Sequence, residues 1–332
     1  MIVLVLTGPT GVGKTSVAVS LAERYGLELV SADSRQVYCW LDIGTDKPTR
    51  EVRDRVPFHM VDKVELNRRY SAADYARDAL AVMRRLNSEG RRFLVVGGSG
   101  MYIRAVFEPF FDAPRADPKV RRELEALSLP ELQSRLRKAD PERASRVHPN
   151  DRQRMVRALE VCATVGHPMS LMMTERNPAR PEFEPCHAVL TMDRERLNRQ
   201  IDERFDRMMR DGLLDEVRML REHGFGTNSY IANAYGYAEL LEHLDGRVSL
   251  AGAVETAKRK SRAYARRQLT WCRRLAGARW FQCASGAEFV ERLGPLVEEI
   301  LGREATSAAR REGELYQDSG TDSRREAPGS EG

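Results

Sequence analysis

The sequence predicts an α/β fold in which a parallel sheet, flanked by helices, is interrupted by an all-helical insertion. Short β-branched apolar runs alternate with amphipathic helical segments over residues 1–113, a pattern typical of parallel sheets. Residues 114–186 consist of arginine-rich helical segments punctuated by prolines, with no strong strand pattern. A strand pattern returns at residues 187–192 and is followed by further helices.

These changes of pattern predict the domain organisation. We expect a core in two parts, residues 1–113 and 187–302, the second part ending in basic helices. The helical insertion would occupy residues 114–186. Residues 303–332 contain almost no large apolar side chains, so we expect a disordered tail.

Composition limits the class of protein further. The chain has 332 residues, a net charge of +5 and 42% hydrophobic residues, which suits a globular protein that tolerates a polyanionic partner. Its five cysteines show no C-x-x-C spacing, so we expect neither a disulfide framework nor a zinc site, and a reducing cytoplasm is the natural setting. No apolar run approaches the length of a membrane span, and nothing in the sequence requires more than a monomer.

The strongest motif follows the first predicted strand, the apolar run from Ile2 to Leu6. It has the form G-x-x-x-x-G-K-T and precedes an alanine-rich helix, as in P-loop NTPase-like folds. Backbone N–H groups of such a loop, with the positive end of the helix, bind a diphosphate or triphosphate. The lysine adds a charge and the threonine hydroxyl can ligate Mg²⁺. The expected diphosphate-binding residues are Gly8, Pro9, Thr10, Gly11, Val12, Gly13, Lys14 and Thr15.

The next two strands carry polar or small residues at their carboxyl ends, where ligands bind in parallel sheets. The strand at Leu27–Val30 leads to Asp33, which is either a turn residue or a catalytic group; its position beside a phosphate loop favours catalysis. The strand at residues 91–96 ends in two glycines and Ser99 instead of a Walker B acid. That absence argues against an ATP-driven motor and indicates close approach of the backbone to a substrate.

Two basic helical segments complete the pattern. Arg154 and Arg157 share a face in the predicted insertion, and residues 258–274 combine a basic stripe with Tyr264 and Trp271. Such helices suit a nucleic-acid backbone, yet a solvated surface helix explains the same charges.

In addition to these features, the sequence resembles the tRNA dimethylallyltransferases of bacterial type over nearly all of its first 300 residues. The similar segments occur in the order of that family. They are the phosphate loop, residues 33–38, 42–48, 70–75 and 96–102, Ala116-Asp117-Pro118 with Arg121, residues 148–154, and residues 267–271. In this sequence Ser99 replaces the usual threonine, Asn233 stands where some relatives carry a basic residue, and the zinc-finger extension of eukaryotic relatives is missing.

The resemblance implies a reaction and a set of site residues. Dimethylallyl diphosphate would donate its five-carbon group to N6 of the adenosine 3′-adjacent to the anticodon of tRNA, with Mg²⁺ as cofactor. Asp33 would be the general base, and Lys14 and Arg204 would stabilise the departing diphosphate. The implied tRNA contacts are Asp33, Ser34, Arg35, Gln36, Ser99, Arg121, Gln153, Arg154, Met155, Val156, Arg157, Tyr235, Gly236 and Tyr237.

Two alternatives stay open on the residues alone. A P-loop small-molecule or nucleotide kinase would also place an aspartate at a strand end, and it would consume ATP. A P-loop nucleic-acid-binding module without transfer chemistry would not need the Asp33 carboxylate.

Overall fold

A computed structural model describes residues 1–108, 117–174, 182–226 and 234–318. Six strands form one sheet within these residues, in the order β3-β2-β4-β1-β5-β6, and every paired neighbour is parallel. The sheet therefore has the predicted parallel α/β architecture. The strands are β1 (Ile2–Thr7), β2 (Glu28–Ser31), β3 (Phe58–His59), β4 (Phe93–Val96), β5 (Glu184–Thr191) and β6 (Arg279–Gln282).

Fourteen helices connect and flank these strands in the described residues. Local signals account for several of their ends. Helix α1 stops at Gly26, which adopts a left-handed conformation, and α3 starts with reciprocal capping of Ser71 and Asp74. The helices are α1 (Lys14–Tyr25), α2 (Arg50–Arg55), α3 (Ala72–Ser88), α4 (Gly100–Phe107), α5 (Pro118–Glu125), α6 (Leu129–Ala139), α7 (Pro141–Arg146), α8 (Arg152–Val165), α9 (Met169–Thr174), α10 (Arg194–Arg210), α11 (Leu213–Glu222), α12 (Tyr237–Leu244), α13 (Leu250–Cys272) and α14 (Gly286–Asp318).

The chain divides into two compact units. The first comprises residues 1–103 and the chain from 182 onward, and the second comprises residues 104–181. The sheet core of the first unit includes Leu6, Leu29 and Leu190, each fully buried. The helical unit has its own core around Leu132 and Val161, since helices α5, α6 and α8 face one another with their apolar sides.

The bounds of the helical unit differ from the predicted 114–186. Residues 184–186 belong to β5, which starts three residues before the predicted strand because Glu184 pairs with Ile2 at the exposed end of the sheet. At the other end the unit begins at Arg104 and takes in the second half of α4. The predicted disordered tail, residues 303–332, also differs, since α14 continues to Asp318. Its alanine, arginine and glutamate residues are good helix formers. The rest of that tail, residues 319–332, lies outside the described residues.

In the part of the chain that the structure describes, no helix is long and apolar enough to cross a membrane. All five cysteines carry free thiols.

Candidate active site

The phosphate loop connects β1 to α1. Gly11 and Gly13 adopt positive φ angles of 84° and 90°, which glycine tolerates without strain. A Cβ atom at Gly11 would lie 2.6 Å from Cγ1 of Ile201, so the loop also lies tightly against α10. The N-terminus of α1 consequently opens towards the ligand side with no side-chain cap, as an anion site requires.

A cavity of about 480 Å³ opens over this loop. It lies at the carboxyl ends of β1, β2 and β4, where the sheet topology predicts a ligand site. Among the described residues, all that line it belong to the first unit. Those used below are Thr10, Gly11, Gly13, Lys14, Thr15, Asp33, Ser34, Arg35, Gln36, Asp46, Gly97, Arg204, Arg207, Tyr235 and Tyr264.

Lys14 places a cation at the floor of this cavity. Its Nζ donates to the carbonyl of Pro9 at 2.9 Å. Burial lowers the pKa of Lys14 to about 8, although the nearby Asp33 carboxylate favours the charged form; the Arg204 guanidinium opposes it. An anion that binds here, such as a diphosphate, would stabilise the protonated, charged form of Lys14.

Asp33 follows β2 and turns the chain at the cavity wall. Its Oδ1 accepts the backbone N–H of Arg35 at 2.8 Å and that of Gln36 at 3.3 Å, which fixes the carboxylate in a tight turn. The N–H of Ser34 donates to Oγ of Ser99 at 2.9 Å, so the ends of β2 and β4 are tied together. The carboxylate is therefore held rigidly in a cavity that also contains a lysine.

Arg204 reaches the phosphate loop from α10. Its Nη2 donates to Oγ1 of Thr10 at 2.8 Å, and its Nη1 lies 3.5 Å from a carboxylate oxygen of Asp46. Its Nε is buried without a hydrogen-bond partner among the described residues. Arg207 lies 3.9 Å from the other oxygen of Asp46. A strong donor without an acceptor beside an anion loop indicates a place for ligand oxygens.

Three of the predicted tRNA contacts at or beside the cavity, Gln36, Tyr235 and Gly236, differ in exposure. Gln36 is buried, and its amide donates to the carbonyls of Thr45 and Asp46 at 3.1 Å, so it holds the loop that carries Asp46. Tyr235 is 36% exposed and accepts a hydrogen bond at 2.6 Å from Arg267, whose guanidinium lies over the ring. Gly236, at a φ of 94°, starts α12.

Tyr237 differs from its prediction as a tRNA contact. Its side chain is fully buried and its hydroxyl donates to Glu216 at 2.5 Å. Glu216 also accepts the backbone N–H groups of Ile43 and Gly44, at 2.8 and 3.3 Å. Through Glu216, Tyr237 therefore stabilises the loop at residues 42–46 from inside the protein. Its buried ring is not accessible to a tRNA base.

The other predicted tRNA residues lie in the helical unit. Gln153 and Arg154 are exposed on α8. Arg121 and Arg157 are partly exposed, and each has a guanidinium nitrogen 3.4 Å from the buried carboxylate of Glu160. Met155 and Val156 are each 2% exposed and belong to the helical core, which contradicts their predicted contact with RNA through side chains. Helix α8 thus presents Gln153 and Arg154 outwards and its next two positions to the helical core.

The glycines after β4 serve a purpose that the sequence did not predict. A Cβ at Gly97 would lie 2.2 Å from the backbone oxygen of Ala32, and one at Gly98 would lie 2.3 Å from Nε2 of Gln268. A Cβ at Gly100 would meet the Trp271 ring at 2.5 Å. The glycines thus allow close approach of the segment after β2 and of α13, and Gly97 also lines the cavity. The expected close approach of this backbone to a substrate stays a prediction.

Several functional residues escaped the sequence analysis because their partners are distant in sequence. Gln268 bonds to the phosphate loop, Asp46 faces Arg204, and Tyr264 lines the cavity, where burial and the Asp33 carboxylate raise the pKa of its phenol to about 12. The only available signal was their presence in the quoted segments 42–48 and 267–271 and in the basic helix.

The protein atoms alone do not form a closed metal site. Among the described residues there is no group of three or more His, Cys, Asp or Glu that could hold a metal ion. The Thr15 hydroxyl and the Asp33 carboxylate nevertheless line the same cavity. This sparse oxygen set fits Mg²⁺, which keeps several waters and binds through substrate phosphates.

An α/β sheet, a glycine-rich anion loop and a lysine, an aspartate and an arginine around one cavity define an enzyme that binds a phosphorylated substrate without a Walker B acid. The family model described as IPP transferase matches residues 36–275, more than half of the chain. The chain belongs to the IPP transferase family and is therefore a transferase. Because this family and its curated relatives are named for transfer of a prenyl group rather than a phosphoryl group, the kinase alternative is not favoured.

Individual relatives agree with this assignment. The chain is 40% identical over 296 residues to tRNA dimethylallyltransferase 1 of Citrifermentans bemidjiense, covering 89% of this chain and 96% of the relative. Its structure resembles the full-length tRNA isopentenylpyrophosphate transferase of Bacillus halodurans, with a TM-score of 0.68, 35% identity and coverage of 92% and 99%. It also resembles a eukaryotic dimethylallyltransferase acting on tRNA, with a TM-score of 0.72, 26% identity and coverage of 84% and 73%.

Proposed function

We propose that this protein transfers the dimethylallyl group from dimethylallyl diphosphate to N6 of the adenosine 3′-adjacent to the anticodon of tRNA and releases diphosphate. The observation that carries the proposal is the meeting of Lys14, Arg204 and Asp33 in one cavity: two cations suit a departing diphosphate and the carboxylate suits proton removal. The names of the relatives supply the donor and acceptor classes.

In this reaction N6 of adenine forms a bond to C1 of the dimethylallyl group while the C–O bond to the diphosphate breaks. The negative charge that develops on the leaving oxygen is stabilised by Lys14, the loop N–H groups and Arg204. Asp33 accepts the proton that N6 loses. Thr15 would help to hold Mg²⁺, which would further neutralise that charge.

The acceptor base must leave the stacked anticodon loop to enter a cavity of this depth, as in other base-modifying enzymes. Ser34, Arg35 and Ser99, at the ends of β2 and β4, would contact the extruded nucleotide, and exposed Tyr235 would contact its neighbours. Arg154 and Gln153 of the helical unit would contact the tRNA backbone. A tRNA substrate implies work in the cytoplasm, and we expect the protein to act as a monomer.

The decisive experiment incubates the purified protein with tRNA and either dimethylallyl diphosphate or ATP. Mass analysis of the digested nucleosides should show an adenosine heavier by one five-carbon unit, with dimethylallyl diphosphate only. Formation of ADP, with no modified nucleoside, would support the kinase instead.

Asp33→Asn tests the base, because asparagine keeps the turn acceptor and loses the charge. We expect single-turnover transfer to fall on the order of 10²–10⁴-fold while tRNA binding is retained, measured by quenched flow and filter binding. Asp215→Asn, at an exposed carboxylate in α11, serves as a control and should transfer normally. Wild-type transfer by Asp33→Asn would remove Asp33 from the reaction.

A further inference from the structure

Gln268 is a buried residue of α13 that joins two walls of the cavity. Its Oε1 accepts the backbone N–H of Thr10 at 2.7 Å, and its Nε2 donates to the backbone carbonyl of Gly98 at 2.8 Å. An N–H group only donates and a carbonyl only accepts, so the two partners fix the orientation of the amide. The side chain is 6% exposed and does not line the cavity.

Each partner of Gln268 leads to one side of the reaction. Thr10 belongs to the phosphate loop, and its hydroxyl accepts from Arg204 at 2.8 Å. Gly98 precedes Ser99, whose hydroxyl accepts the N–H of Ser34 at 2.9 Å, next to Asp33. One amide thus connects the segment that carries the diphosphate ligands to the segment that carries the base.

The packing around this amide leaves little room for alternatives. Gly98 has no space for a Cβ because Nε2 of Gln268 would lie 2.3 Å from it, and the Trp271 ring fills the corresponding space at Gly100. Gln268 and Trp271, one helical turn apart on the same face of α13, therefore both pack against the segment that follows β4. A bridge of this kind resists relative sliding of the two cavity walls.

We infer that Gln268 is a positioning residue that sets the distance between the diphosphate loop and the Asp33 segment, and so aligns the two reactants. This inference rests on the proposed function. Misplacement of reacting groups by about 1 Å costs on the order of 100-fold in rate. Loss of the bridge should therefore slow the chemical step, while the loop N–H groups and Lys14 still bind diphosphate.

Two substitutions separate positioning from simple packing. Methionine fills a similar volume but makes neither hydrogen bond, so Gln268→Met should slow single-turnover transfer on the order of 100-fold with little change in the dissociation constants for dimethylallyl diphosphate and tRNA. Thr270→Ala, at an exposed site of the same helix, is the matched control and should transfer at the wild-type rate.

Gln268→Glu supplies a readout that a packing role would not change. A protonated carboxyl accepts from Thr10 and donates to Gly98 as the amide does, whereas a carboxylate confronts the Gly98 carbonyl. We therefore divide the single-turnover rate of Gln268→Glu by the wild-type rate at the same pH. This ratio should rise as the pH falls from roughly 8.5 to 5.5, a range over which a buried carboxyl group gains its proton. Groups common to both enzymes, Asp33 and Lys14 included, cancel in this ratio.

The outcomes are distinct. A pH-dependent ratio with slow transfer by Gln268→Met supports the inference, and the ratio decides alone if the methionine variant does not fold. A ratio independent of pH, or wild-type transfer by Gln268→Met, overturns it. Wild-type protein that modifies no tRNA refutes the proposed function instead, before any variant is compared.

Discussion

At the scale of single residues, the site depends on charges held in unusual surroundings. Partial burial lowers the pKa of Lys14 to about 8. The Nε of Arg204, beside the same loop, has no hydrogen-bond partner among the described residues. Neither arrangement stabilises the protein without a ligand, because each leaves a desolvated donor or cation. Both become favourable when anionic oxygens arrive, which is how a binding site differs from a core.

The lowered pKa of Lys14 predicts how diphosphate binding depends on pH. Below pH 8 the free protein carries the ammonium, whereas above it the amine must recover a proton on binding, since the anion favours the charged form. Affinity for dimethylallyl diphosphate should thus weaken by up to about tenfold per pH unit above pH 8. Calorimetry should detect net proton uptake at pH 8.5.

Lys14→Met provides the control for that titration. It removes the titrating group, so the variant should bind weakly at every pH and without the slope above pH 8. An equal slope in wild type and variant would assign the pH dependence to another group. The same variant should have a melting temperature no lower than that of the wild type, because burial of the Lys14 charge no longer opposes folding.

At the scale of elements, the features that could be predicted from sequence are those that depend on residues close together in the chain. A few neighbouring residues are enough to predict the first strand, the phosphate loop, the Ser71–Asp74 capping and the placement of Asp33 after β2. Strand β6 was missed because its four residues, Arg279–Gln282, are partly or largely exposed and show no alternation at the sheet edge. Gln268 was missed because its partner Thr10 is 258 residues away.

The turn after β4 yields a prediction about the junction of two elements. Gly97→Ala places a methyl group 2.2 Å from the backbone oxygen of Ala32, which only a shift between β2 and β4 can relieve. We expect destabilisation of about 3 kcal/mol, measured as a lowered midpoint of urea unfolding. The matched variant Gly286→Ala, where an added Cβ meets nothing within 4 Å, should unfold like the wild type. Equal midpoints for both would show that the strand ends yield easily.

At the scale of the whole molecule, the two compact units separate two kinds of binding. Every lining residue in the described part of the chain belongs to the first unit, while a large share of the predicted tRNA contacts belongs to the second. The sequence predicted this division through the change to proline-punctuated helices. It could not show which arginines of the helical unit are engaged internally, since the pairing of Arg121 with Glu160 depends on the packing of α5 against α8.

Exposed and internally paired arginines of the helical unit should respond differently to substitution, the first in tRNA binding and the second in stability. Arg154 is 68% exposed, so Arg154→Ala should weaken tRNA binding and reduce the salt dependence by about one counterion, without changing the melting temperature or the KM for dimethylallyl diphosphate. Arg121→Ala removes a partner of buried Glu160 and should destabilise the protein by about 1–3 kcal/mol.

Arg146→Ala is the matched control for both, because Arg146 is 69% exposed on α7 and lies outside the predicted contacts. Filter binding of tRNA at several salt concentrations and calorimetric melting of the three variants decide the matter. If Arg146→Ala lowers tRNA affinity as much as Arg154→Ala does, the helical unit attracts RNA only through its net charge. A specific contact at α8 requires the two variants to differ, because equally exposed arginines contribute equally to a non-specific field.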